Sequence, residues 1–248
     1  MTYPEYAPVD YTAPSVKAGP IWADKDITGT KHEMKFNTVD GKVNRVSHYG
    51  EYKVVDGVPV NPVGRTGIKG RGLLGKWGPN HAADPVVTRW KRDDKGNEVK
   101  VGGKSVLEFV GIKRRDTGEW AIPGGMVDAG DTVSATLRKE FGEEALASLD
   151  MPKEEQERVM RLTGQLFAGS GTTLYRGYVD DPRNTDNAWM ETVAVNFHDT
   201  GNLFSAFKLK AGDDAGAVSW ITANSALPMY ASHAQFVRCA VEKLGGHW

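Results

Sequence analysis

Cysteine is almost missing from this chain: Cys239 stands alone among 248 residues. A single thiol excludes an internal disulfide framework and suits a reducing compartment. An excess of either charge is missing too, with 31 Lys and Arg against 32 Asp and Glu. That balance supplies no broad basic field, so neither nucleic acid nor an anionic membrane surface is an expected partner. No stretch approaches the roughly 18 consecutive apolar residues of a spanning helix, which argues against direct membrane insertion. Residues 1–10 carry neither the apolar core of a signal peptide nor the Arg-rich character of a transit peptide. The expectation is a cytoplasmic globule with a substantial core, built as one domain or two small ones.

What is present divides at about residue 84. Residues 1–84 are rich in Pro, Gly, Tyr and Trp, with short extended pieces. The run 50–55, followed by Asp56-Gly57, reads as a hairpin. The glycine-dense, basic stretch 64–75 lacks the Gly-Lys-Ser/Thr ending of a Walker-type loop. It reads either as a structured irregular loop or as a ligand contact. Residues 79–85 hold two prolines, an Asn and an Asp, a turn-rich boundary. Beyond it the pattern alternates: strands over 86–93 and 105–115, a helix over about 132–148 with Asp131 as N-cap, and a charged, exposed helix over 153–161. Strands follow at 172–179, 191–198 and 218–221. An amphipathic helix over 230–244 carries Phe236, Val237, Ala240, Val241 and Leu244 at helical spacing. This is an α/β (α+β) pattern, a mixed sheet sandwiched by helices over 85–248, with a smaller irregular β-rich domain over 1–84.

Residues 124–146 carry the chemistry. Gly124-Gly125 follows an apolar run, and an amphipathic segment then places Glu140, Glu143 and Glu144 at i, i+3 and i+4. In an α-helix that spacing gathers three carboxylates on one side, against an apolar stripe of Val133, Leu137, Phe141 and Ala145. Carboxylates at the rim of a buried face repel one another and lose solvation unless a hard, oxygen-seeking cation sits among them. A solvated acidic face is the alternative, but the glycine pair at the right spacing weighs against it.

The stretch resembles the signature box of the Nudix hydrolases, G-x5-E-x7-R-E-U-x-E-E-x-G-U with U apolar. Gly125, Glu140, Phe141, Glu143 and Glu144 fit it. Asp131, Lys139 and Leu146 depart from it, where the pattern has Glu, Arg and Gly. In the family the box arginine braces a catalytic glutamate. Lys139 keeps its charge but loses the planar fork, and Arg138 points about 100° away on an α-helix. None of the departures removes one of the three glutamates. The resemblance therefore implies a Nudix fold and Mg²⁺ as cofactor, with Mn²⁺ as substitute. Glu140, Glu143 and Glu144 would be metal ligands, joined by a carbonyl of Gly124.

Further segments narrow the resemblance to the ADP-ribose pyrophosphatase subgroup and the homologous ADP-ribose-sensing domain of melastatin-type TRP cation channels. They are 70–85, 121–128, 178–192, 211–216 and 230–233. The resemblance implies an irregular N-terminal domain on a Nudix core, with ADP-ribose held between them. Asp181 and Arg183 would contact its ribose-phosphate part, and His81, Tyr230 and Ser232 other parts. On residue type alone Asp181 and Arg183 also read as an internal ion pair of a structural loop, His81 as a structural histidine and Tyr230 as core. Asp213 and Asp214 fall where related hydrolases place a catalytic or substrate-binding acid, and they read equally as a turn.

The implied reaction is Mg²⁺-dependent hydrolysis of ADP-ribose to AMP and ribose 5-phosphate. One of Glu140, Glu143 and Glu144, or Asp213 or Asp214, would draw the proton of the attacking water. The alternative is a sensor domain of a tetrameric channel, with or without hydrolysis, in place of a monomeric enzyme. Cleavage of another nucleoside diphosphate derivative is a third reading. A mitochondrial matrix enzyme without its transit peptide and the cytosolic face of a channel are the alternative locations.

Overall fold

The computed structural model describes residues 5–27, 32–146, 152–169, 171–201, 203, 209 and 215–248. The chain forms two compact units. The first comprises residues 1–82, 126–131 and 176–192, and the second 83–125, 132–175 and 193–248.

The first unit is built from short pieces: β1 (Val9–Thr12), α1 (Pro14–Lys17), β2 (Val39–Asp40), β3 (Val43–Asn44), β4 (Val54–Val55), β5 (Val58–Pro59) and β6 (Ile68–Gly72). β1 and β6 pair in parallel, while β2–β3 and β4–β5 are antiparallel. Asp56 and Gly57, with φ of 50° and 81°, close the expected hairpin through the primed turn that matches strand twist. The glycine-dense stretch 64–75 is thus partly strand.

Strands this short bury little apolar surface, and buried ion pairs supplement them. Arg45, 3% exposed in its side chain, forks onto Asp24 at 2.7 and 3.0 Å and reaches Asp40 at 3.2 Å. Asp24 also accepts from the Trp77 N–H at 2.8 Å. Buried Arg71 donates to Asp26 at 2.5 Å and to the Gly75 carbonyl at 3.2 Å.

β7 (Gly78–Trp90) begins eight residues before the strand expected from residue 86, so the turn-rich boundary at 79–85 is strand instead. The turn lies one step earlier. The Asn80 side chain bonds both the N–H and the carbonyl of Lys76, at 2.9 and 2.8 Å. With Asn80 and Ala82–Thr88 all buried, tertiary packing outweighs local turn preference.

The remaining strands are β8 (Lys100–Val101), β9 (Lys104–Ser105), β10 (Leu107–Arg114), β11 (Trp120–Ala121), β12 (Gly125–Met126), β13 (Thr172–Tyr178), β14 (Ala188–His198) and β15 (Ala215–Thr222). β8 and β9 form a separate hairpin. The main sheet runs β11-β10-β7-β14-β13, with β12 beside β7 and β15 beside β10. β10 is antiparallel to β7, β11 and β15. β14 is buried along nearly its whole length, which is why no hydrophobic alternation marks its start at Ala188.

Among the described residues, three α-helices belong to the second unit. α2 (Val133–Glu140) continues into a π-helical turn, Phe141–Ala145, so the expected single α-helix is not regular. Its N-cap is Thr132 and not Asp131: the Thr132 hydroxyl accepts from the Ala135 N–H at 3.2 Å. A hydroxyl in extended backbone one residue closer to the first turn reaches an unpaired helical N–H. Thr132→Ala should cost about 1 kcal/mol, read as a lower urea midpoint; an unchanged midpoint would remove the cap from the account.

α3 (Lys153–Ala168) runs seven residues beyond the charged segment expected to be exposed, and buries Val159, Thr163 and Leu166. Phe167 packs on Phe141 and Phe197, at 5.8 and 4.2 Å between ring centroids. α4 (His233–Leu244) starts three residues later than expected, and buries Phe236, Val237, Ala240 and Val241 as its periodicity requires. No helix among the described residues is long and apolar enough to cross a membrane.

Candidate active site

The glycine pair and the first glutamate meet in the second unit. A Cβ on Gly125 would lie inside the carboxyl group of Glu140, and one on Gly124 inside the carboxylate of Asp84. Glycine is therefore required here by close approach: two acidic side chains lie against one bare stretch of backbone. Asp84 is 7% exposed. It was not expected among the site residues, since its neighbours Pro79, Asn80 and Pro85 read as a turn and nothing local marks it as acidic-site chemistry.

Glu140 is the last α-helical residue of α2, and Glu143 lies in the π-helical turn that follows. Both are partly exposed. The i→i+5 winding advances less per residue than the 100° of an α-helix, so the expected i, i+3, i+4 geometry does not hold past Glu140. Single π turns inside α-helices are common at functional sites. The position that departs from the box as Leu146 is fully buried, as are Phe141 and Ala145, which anchor this turn. The Glu144 side chain, Asp213 and Asp214 lie outside the described residues. Carboxylate oxygens are the donors a hard divalent cation takes. The glycine cradle keeps Glu140 against backbone, so the described residues fit such an ion.

Tyr230 and Ser232 belong to the same unit. The Tyr230 N–H donates to the Trp120 carbonyl, and His233 Nδ1 accepts from the Ile122 N–H, both at 2.9 Å. These bonds tie the turn 230–233 to β11 and to the chain leading into Gly124-Gly125. The Tyr230 ring packs on buried Ile112 and Ala121, with the Arg114 guanidinium 4.3 Å from its centroid. Ser232 stands at the N-terminus of α4 and makes no side-chain cap bond.

Asp181, Arg183 and His81 lie in the first unit. Arg183 forks onto Asp181 through Nε and Nη2, both at 2.8 Å, and its N–H adds a third bond at 2.9 Å. Asp181 is 5% exposed in its side chain and Arg183 37%, so the buried carboxylate orients a guanidinium that reaches solvent. The other polar residues of this loop have a structural task. Asn184 bonds the Tyr178 hydroxyl and the Val179 carbonyl, each at 2.9 Å. Thr185 donates to the Gly70 carbonyl at 2.6 Å. Asp186 accepts from Tyr6 at 2.6 Å and from the Thr66 N–H at 2.7 Å, and Asn187 bonds Pro59 and Gly70. His81 turns its ring toward His48, with centroids 4.8 Å apart.

A bare glycine pair after a strand, with an acidic helix folded back against it, is an arrangement that can seat a divalent cation. A NUDIX domain model matches residues 85–239, and a model described as the NUDT9-like N-terminal domain matches residues 1–78. The chain belongs to the Nudix family, whose hydrolases use divalent metal ions, and its mixed α/β architecture is the Nudix fold with a strand-rich N-terminal region.

Over 251 residues it is 55% identical to the mitochondrial ADP-ribose pyrophosphatase of Rattus norvegicus, covering 100% of this chain and 72% of that protein. It is 57% identical over 238 residues to a Nematostella vectensis protein, transient receptor potential cation channel subfamily M member-like 2. That match covers 94% of this chain and 15% of the channel protein. Putative nudix hydrolase 6 of Caenorhabditis elegans is 51% identical over 234 residues, covering 94% of this chain and 82% of that protein.

Proposed function

We propose that this chain hydrolyses the diphosphate bond of ADP-ribose, giving AMP and ribose 5-phosphate. The carrying observation is its likeness to ADP-ribose pyrophosphatase along its entire length, together with Glu140 held against Gly125 in the second unit. Glu140, Glu143 and Glu144, with the Gly124 carbonyl, would hold Mg²⁺, for which Mn²⁺ can substitute. When bound, the ion offsets diphosphate charge and makes a water molecule more acidic.

The chain's own groups supply the rest. A carboxylate among Glu140, Glu143, Glu144, Asp213 and Asp214 takes the proton of the attacking water. That water attacks phosphorus in line, and the bridging oxygen leaves with the other phosphate. Arg183, oriented by Asp181, forks onto phosphate oxygens, and Tyr230 and Ser232 meet the ligand from the turn ahead of α4. Residues 1–84 would form the N-terminal domain and 85–248 the Nudix core, a reading supported by family matches over 1–78 and 85–239.

The test is incubation with ADP-ribose and Mg²⁺, with AMP followed by chromatography. Release of AMP is expected, falling about 100-fold or more in Glu143→Gln/Glu144→Gln. The 57% identity to the channel protein favours a second reading, a sensor domain on the cytosolic face of a tetrameric channel. Binding of ADP-ribose without AMP would leave that reading standing and end the first.

A further inference from the structure

The first unit holds three side chains that the reaction above leaves without a task. His48 lies on the segment after β3, His81 in β7 and Glu191 in β14. One potential ligand atom from each lies within 4.8 Å of the others. Among the described residues this is the one such group of three His, Cys or carboxylate side chains.

Glu191 is fully buried and held in a fixed pose. Its Oε1 accepts from the Ser47 hydroxyl at 2.5 Å and from Trp189 Nε1 at 2.8 Å, and its Oε2 from the His48 N–H at 2.5 Å. Both ring nitrogens of His81 are sealed from solvent and have no hydrogen-bond partner. The Asn44 and Val46 carbonyls influence its proton affinity but miss hydrogen-bond geometry. A buried imidazole that gives up water at both nitrogens and receives no bond in return is costly. Burial lowers the proton affinity of both rings, His48 to about 4.

The geometry points to a second metal site in this protein: His48, His81 and Glu191 hold a zinc-class divalent cation, with water completing the coordination. Two imidazoles and one carboxylate are a zinc set and a poor one for Mg²⁺, which prefers oxygen. Bonds of about 2.0–2.1 Å in a tetrahedral site require ligand atoms about 3.4 Å apart. The three candidate ligand atoms, within 4.8 Å of one another, would have to close in on the fixed Glu191 carboxylate to reach that spacing. The bonds from Ser47 and Trp189 to Glu191 are the outer-shell partners that orient a ligating carboxylate. Arg176, an exposed side chain, donates to His48 Nδ1 over a long 3.3 Å, and its positive charge opposes a cation there.

The probe is Co²⁺, a coloured stand-in for zinc, added to the metal-stripped full chain in excess Mg²⁺. One equivalent should bind with a visible d–d band that Zn²⁺ displaces and further Mg²⁺ does not. Glu143→Gln/Glu144→Gln should keep the band. His81→Gln and the partly exposed His48→Gln should each weaken Co²⁺ binding about tenfold or more, the scale of lost ligation. Arg176→Gln should tighten it, an effect that misfolding cannot mimic. Absence of the band, its survival in both histidine variants, or its loss in the glutamate variant would overturn the site. A changed KM for ADP-ribose in His81→Gln with the band intact would assign His81 to substrate instead.

Discussion

Gly125→Ala should lower kcat for ADP-ribose by about 10–100-fold while the urea midpoint moves little. The backbone at this position lies outside the left-handed region, so alanine imposes no conformational strain. The damage is local: the new Cβ occupies the place of the Glu140 carboxyl group, which must swing away from the backbone it lies against. Displacing one oxygen donor, or the group that positions it, costs activity on that scale. Two effects acting through the same carboxylate do not add. Glu140→Ala and Gly125→Ala/Glu140→Ala should therefore share one rate, measured as AMP released at saturating substrate. If the double variant is slower than Glu140→Ala by the full factor of Gly125→Ala alone, the cradle is not what the glycine provides.

The largest stability effect is expected at Arg45. Arg45→Met leaves Asp24, 6% exposed in its side chain, without its guanidinium fork, and withdraws the contact to Asp40. Removing one partner of a buried pair costs about 3–5 kcal/mol, because the remaining charge stays desolvated. The loss should appear in hydrogen exchange as deprotection of amides within residues 36–80, with protection in α4 retained. Asp24→Asn in the Arg45→Met background should recover part of the loss, since a neutral side chain can still accept from the Trp77 N–H. A cost below 1 kcal/mol would mean that the first unit rests on its apolar contacts alone, such as Tyr52 against Trp189, whose ring centroids are 5.1 Å apart.

Much of the second unit was legible because its signals are periodic. The α4 stripe and the β10 run can pack in one way only, and both appear within a few residues of their expected ends. The hairpin at Asp56-Gly57 was equally plain, since its turn needs two residues with positive φ. Less legible were the elements where long-range packing overrode a local preference. Pro79, Asn80 and Pro85 advertise a turn, yet the chain there is strand, because Asn80 closes its turn onto Lys76. The polar loop 178–192 is dense in Asp and Asn largely to clamp residues 59–72, and no spacing in the sequence says so.

The glycine pair and the glutamates of the box pointed by themselves to a mixed α/β chain of the Nudix family. Those features act over one or two turns of chain, within reach of local pattern. Only the tertiary structure brought Asp84 to Gly124 and turned the helix into a π-helical turn after Glu140. Only it assembled His48, His81 and Glu191 from three separate segments. Contacts between residues 33 to 143 positions apart are set by how strands stack and bury, which periodicity along the chain does not encode.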